Sequence, residues 1–236
     1  MTPLQHLSRL AAWTMVALSL AACAPAQGPV TGSGATTTAA VVPASAEQAA
    51  AAVAPAGATL QIDSANSLIA VTVRRGGMLA RLGHDHVVAA RTITGTVWPQ
   101  AQRAQFQFRL DQMTVDEAAL RQVAGLDRQP SREAIDGTRQ NMLTKVLDAE
   151  RYPLVAVLAE RQPGQPGLPL KVAITLHGVT RHYDIPAAIT QDQQSMTVSG
   201  TVNLKQTDFG LTPFSVMGGA MAVQDQMELR FVLAAR

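Results

Sequence analysis

The 236-residue chain has a single cysteine, Cys23, so no disulfide can cross-link it internally. Aromatic residues make up only 4% of it, which argues against a surface built to stack nucleic-acid bases. Charge is nearly balanced: 19 basic and 17 acidic residues leave a formal +2, too little to draw the chain to nucleic acid or to an anionic membrane. The apolar run Leu10–Leu20 is too short to span a bilayer as a stable helix. No Gly-x-Ser-x-Gly elbow is present, and "TDFG" at Thr207–Gly210 lacks the glycine-rich and catalytic loops that a kinase requires. What remains is a chain 47% apolar and 15% charged, long enough for one well-buried domain or two small ones.

The cysteine carries the most information. "MTPLQHLSRLAAWTMVALSLAAC" has one positive charge at Arg9, an apolar stretch, and Ala21 and Ala22 just before Cys23. This looks like a bacterial lipoprotein signal, and the resemblance implies cleavage after residue 22 and acylation of Cys23, a stable membrane anchor. Ala24 follows instead of an aspartate, which in such lipoproteins implies the periplasmic side of the outer membrane rather than the inner membrane. An ordinary secretory signal with an incidental cysteine is the alternative. From Ala24 to about Ala58 the chain is Ala, Thr, Gly, Pro and Ser with one charge, Glu47, and reads as a disordered tether. The expected division is therefore 1–22 signal peptide, 23–58 lipidated cysteine and tether, and 59–236 folded domain.

From Thr59 the grain changes to short, β-branched, mostly alternating runs. Phe106, Phe108 and Leu110 alternate with Gln105, Gln107 and Arg109. Leu170, Val172, Ile174 and Leu176 repeat the pattern, as do Met227, Leu229, Phe231 and Leu233. One segment, "PSREAIDGTRQNMLTKVLDAERYP", has helical spacing at Ala134, Ile135, Met142, Leu143, Val146 and Leu147, with Ser131 or Asp136 as its start and Tyr152-Pro153 as its end. "LHGVTRHYDIPA" reads as a hairpin turning at Gly178. These runs predict an all-β domain of about eight antiparallel strands with one helical insertion, closed into a barrel that leaves no sheet edge. Small residues read as inward-facing (Ala70, Gly95, Ala156 and Gly200) favour a hollow interior over a packed one.

Four segments in order, "IDSANSLIAVTVRR", "TRQNMLTKVLDAERYPLV", "LHGVTRHYDIPA" and "LKQTDFGLTPFSV", resemble the YceI-like family across the whole domain. The resemblance implies an extended lipocalin-like barrel in a small exported bacterial protein. It also implies an isoprenoid lipid or quinone in the interior and no enzyme activity. The chain departs from the common pattern at "LGHDH", where many relatives carry a single histidine, and at "KQTDFG", where Lys205 or Gln206 stands near a usual arginine.

Within that frame Phe106, Phe108, Leu176, Phe209 and Phe231 are candidate contacts to an apolar ligand, and His84 and His86 to its polar head. Three readings of Gly83-His84-Asp85-His86 stand: a turn whose side chains satisfy loop backbone, a head-group contact at the barrel mouth, and a metal pair needing a further ligand. Asp116 and Glu117 read as solvated loop carboxylates, while Asp208 and Gly210 read as shaping a turn around a packed Phe209. The functional expectation is a non-enzymatic lipid-binding lipoprotein without a nucleic-acid partner. A metal-binding module on His84 and His86, or a stress-response scaffold, are the alternatives.

Overall fold

The computed structural model describes residues 54–236 apart from 127, 163, 165 and 166; Cys23 and the expected signal and most of the expected tether lie outside the described residues. In chain order the strands are β1 (Leu60–Gln61), β2 (Leu68–Gly76), β3 (His86–Ala90), β4 (Ile93–Trp98), β5 (Arg103–Arg109), β6 (Thr114–Val115) and β7 (Leu154–Arg161). They continue as β8 (Leu170–Leu176), β9 (Val179–Ile185), β10 (Ala187–Gln191), β11 (Met196–Lys205), β12 (Ser215–Val216) and β13 (Met221–Ala235). The antiparallel β architecture is the expected one. Its strands form two sheets, ordered β1-β4-β5-β7-β8-β9 and β10-β11-β13-β2-β3-β6, with β12 paired to β13.

The two sheets do not close into the continuous barrel that the strand pattern predicts. At one seam β9 passes into β10 through Pro186, whose missing N–H cannot continue a ladder. At the other seam the chain is stitched by main chain: Gln61 and Arg236 exchange N–H···O bonds of 2.8 and 2.9 Å, and Asp63 N–H donates to Ala234 O at 2.8 Å. Beyond this, the edge strand β6 is only two residues long and lies against a helix, which limits its exposed ladder.

Two α-helices follow β6: α1 (Ala118–Val123) and α2 (Arg132–Asn141). Only α2 was predicted from the apolar spacing. Its start is Ser131, whose Oγ accepts from Ala134 N–H at 3.2 Å. The helix then widens into a π turn over Met142–Val146, with Leu147 N–H bonded to Met142 O at 2.9 Å. Helical turns thus stop near Val146, short of the expected Tyr152-Pro153. The β8–β9 hairpin turns on His177 (φ 53°) and Gly178 (φ 74°), the paired left-handed conformation that matches strand twist.

Inward side chains of both sheets share one apolar core that includes Ile69, Ile93, Phe106, Phe108, Phe209 and Phe231. A second cluster of Ala70, Val87 and Leu126, joined by Leu68, Leu120 and Ala124, lies under α1 on the other face of β2 and β3. Of the small residues read as inward, Gly95 and Gly200 are so placed: each pairs across strands with a core phenylalanine, Phe106 and Phe231. A Cβ on Gly95 would come within 2.2 Å of Gln105 O. Ala70 instead belongs to the second cluster, and Ala156 alternates with Val155 and Val157, which face the interior.

Candidate functional site

The interior is hollow. Between the sheets lies a cavity of about 360 Å³. The pleat builds its wall: Ile69, Val71 and Val73 of β2, Val155 and Val157 of β7, and Val172, Ile174 and Leu176 of β8 project inward at every second residue. Phe106, Phe108, Leu176, Phe209 and Phe231, read from sequence as ligand contacts, all line it. Phe209 is fully buried on the 3₁₀ turn Thr207–Phe209, and Gly210 at φ 71° closes that turn as expected. Tyr183 covers Phe209 and donates from its hydroxyl to Asp208 Oδ2 at 3.2 Å; burial and the Asp208 charge push its pKa up to about 12.

Polar groups sit at both ends of this wall. At one end Arg161 and Gln191 extend the inward phase of β7 and β10, next to Gln102 and Arg103. Arg103 Nε is buried and has no hydrogen-bond partner, although Glu160 Oε1 lies 3.8 Å away. At the other end Thr138 and Asn141 of α2 and Met142, Val146 and Leu147 of the π turn and its cap cover the cavity. Arg161 and Gln191 were legible as the next inward positions after Ala159 and Ile189, a signal the apolar pattern hid.

His86 stands just behind the helix-covered end. Its Nδ1 lies 2.6 Å from Asp116 Oδ2, and its Nε2 lies 3.4 Å from Thr138 Oγ1, a cavity-lining group. Asp116 is not the solvated loop carboxylate that its neighbourhood suggested. Its side chain is fully buried, and Oδ1 also accepts from Val87 N–H at 3.1 Å and Arg121 Nη1 at 2.6 Å. Burial alone would raise its pKa. The bonds from His86, the Val87 amide and Arg121 outweigh that and hold the carboxyl below its ordinary value. The β3–β6 pairing, Val88 opposite Val115, brings Asp116 beside His86.

The three polar residues of "GHDH" separate in space. Asp85 Oδ1 accepts from Arg75 N–H at 2.8 Å, the loop-satisfying part expected of a turn. His84 lies outside the cavity wall, in a second pocket among arginines, with its ring centroid 6.1 Å from that of His86. Burial, the electrostatic influence of the neighbouring His86 and the positive charges of Arg121 and Arg128 push its pKa down, against the pull of Asp116. Among the described residues no group of three or more His, Cys, Asp or Glu side chains is arranged to hold a metal ion.

A model of the YceI-like domain matches residues 60–235. The chain belongs to the YceI-like family. Similar solved structures include a polyisoprenoid binding domain from Saccharophagus degradans implicated in plant cell wall breakdown, with 13% identity and a TM-score of 0.54 over 75% of this chain and 97% of that one. BcnA from Burkholderia cenocepacia is similar at 16% identity and a TM-score of 0.52, over 74% and 99% of the two chains. At such identities the likeness to these structures is one of fold. Among curated proteins none matches the sequence. The match also places "GHDH" and "TDFG" inside the YceI-like domain rather than beside it.

Proposed function

We propose that this YceI-like domain binds an apolar lipid chain, of isoprenoid type, in the cavity between its sheets, and that it does so as a binding protein without catalysing a reaction. The observation that carries the reading is the cavity itself: about 360 Å³, walled by inward Val, Ile, Leu, Phe and Met side chains. That volume falls within the range of roughly 300–1,000 Å³ found for small-molecule sites. The ligand named for the Saccharophagus degradans domain agrees with it. Each five-carbon unit moved out of water contributes roughly 4 kcal/mol, at about 0.8 kcal/mol per carbon, so three or more units offset the cost of association. The chain would dominate affinity. Thr138 and Asn141, with His86 behind Thr138, would contact a polar head at the helix-covered end.

We place the domain on a lipid anchor at Cys23, at the periplasmic side of the outer membrane, with residues 24–58 as the tether. Native mass spectrometry and lipid extraction of the protein purified from its own host test the binding. A prenyl lipid in near-stoichiometric amount is expected, and repeated recovery of the empty protein defeats the reading. Fractionation tests the anchor: with a cleavable secretory signal in place of residues 1–22, Cys23→Ser should move the protein from membrane to soluble fractions, and an unchanged distribution defeats that part.

A further inference from the structure

The second pocket, about 350 Å³, is lined by Arg75, Arg81, His84, Asp85, Arg121 and Arg128, together with Gly125 and Leu126. It shares no lining residue with the lipid cavity. Arginines therefore dominate its wall, against one carboxylate among the described lining residues. That carboxylate is already engaged: Asp85 Oδ1 accepts from Arg75 N–H at 2.8 Å and lies 3.7 Å from Arg75 Nε, while Oδ2 is 3.9 Å from Arg74 Nη1. Arg121 is only 4% exposed and is held by Asp116 and by the Asp85 and Arg128 carbonyls, yet its Nε has no hydrogen-bond partner. Among the described residues the Arg81 and Arg128 side chains make no ion pair. His84 is driven toward its neutral form by burial and by the cations around it, so the field at the pocket is positive.

We infer that this pocket binds a phosphate-type anion, a phosphate or diphosphate group gripped by the guanidiniums of Arg75, Arg81 and Arg128 against the fixed Arg121. Planar guanidinium forks match phosphate oxygens two at a time, which a lysine cannot do. A carboxylate ligand would use only one such fork and leave the rest of the wall unpaired. The group can arrive free or as the head of a lipid; Met78 at 91% and Leu82 at 60% exposure, on either side of Arg81, suit an adjoining lipid surface. The inference stands whether or not the cavity holds a lipid.

The test uses the mature chain, residues 23–236, carrying Cys23→Ser, so that neither the signal nor an acyl group contributes, with two probes. One is sodium pyrophosphate in a calorimetric titration. The other is co-sedimentation with vesicles of phosphatidylglycerol in phosphatidylcholine. Arg81→Gln/Arg128→Gln should weaken binding at least tenfold with an unchanged circular dichroism spectrum. Arg151→Gln, whose guanidinium rests 5.1 Å over the Tyr152 ring instead, should change it less than twofold. Pyrophosphate binding with this pattern identifies a free anion as sufficient, and vesicle binding alone identifies a lipid head. Arg81→Gln alone serves if the double variant misfolds. Failure to bind either probe, or equal weakening by Arg151→Gln, overturns the inference.

Discussion

Replacing Asp116 by asparagine removes the negative charge to which both His86 and Arg121 are bonded, each at 2.6 Å. Arg121, 4% exposed, would then be a buried cation facing a neutral amide. Removing one partner of a buried pair costs about 3–5 kcal/mol. The lower end, about 3 kcal/mol, applies here, because an asparagine can still accept from Val87 N–H and His86 keeps some solvent contact. That is a large share of a typical stability of about 5–15 kcal/mol. In urea at pH 7 the midpoint should fall by about 1–3 M for slopes of about 1–3 kcal/mol per molar. Removing both charges, as Asp116→Leu/Arg121→Met, should cost less than Asp116→Asn alone, since no orphan charge remains. The acid limb gives a second readout. A carboxyl held below its ordinary value of 3.8 contributes stability that is present above that pH and lost as pH falls below it, so Asp116→Asn should flatten that limb. An unfolding free energy within about 0.5 kcal/mol of wild type would refute the reasoning.

Three further outcomes follow from the geometry. Val157→Phe puts a ring into the cavity wall and should cut co-purifying lipid several-fold with little loss of melting temperature, because it fills existing space rather than overpacking a core; unchanged lipid content contradicts the proposed site. His84, its pKa pushed below the ordinary 6.5, favours the folded state above that pH and withdraws this stability as the pH falls below it; His84→Gln should reduce the loss between pH 7 and 5 in urea titrations, and an identical profile would count against the assignment. Gly178→Ala forces a side chain onto φ 74° with its Cβ 2.9 Å from Tyr152 Cε1, which should cost about 1–2 kcal/mol in thermal unfolding, whereas a neutral or stabilising result is incompatible with the turn described.

Much of the fold is legible because one-sided burial writes itself as alternation. Phe106 and Phe108 against Gln105 and Gln107 give β5 its inward face without ambiguity, and the same holds along β8. The signal blurs where both faces are covered. In "SLIAVTV" Ile69, Val71 and Val73 face the cavity, but α1 and Leu126 cover Leu68 and Ala70, so the apolar pattern alone cannot orient Ala70. Closure is a still longer-range property. Alternation within a strand carries no information about whether its neighbour across a corner is hydrogen-bonded, and at the β9–β10 corner Pro186 has no donor to offer. Four of the five apolar site candidates, Phe106, Phe108, Leu176 and Phe231, are legible from the inward phase of their strands, and Phe209 from its place in a turn. Asp116 could not come that way: a carboxylate beside Glu117 in a polar stretch looks solvated until β6 pairs with β3 and sets it against His86, thirty residues away.

The "GHDH" segment shows why spacing misleads when an element boundary falls inside it. Two histidines at i and i+2 share a side only if the intervening residue is extended in the same strand. Here β3 begins at His86, so strand alternation governs His86 and Val88 but not His84. His86 takes the inward phase at the end of the sheet, its two nitrogens committed to Asp116 on one side and Thr138 on the other. His84 turns toward the arginines, and Asp85 ties the preceding loop back to the Arg75 amide. A shared metal would need both rings to converge on one point. For His86 that would mean giving up either the Asp116 bond, which compensates a buried carboxylate, or the Thr138 contact at the cavity end. Taking from buried Asp116 one of its three hydrogen-bond partners, His86, Val87 N–H and Arg121, makes the first choice the more expensive. The segment is therefore better read as three separate fastenings at the junction of loop, strand and helix than as one ligand pair.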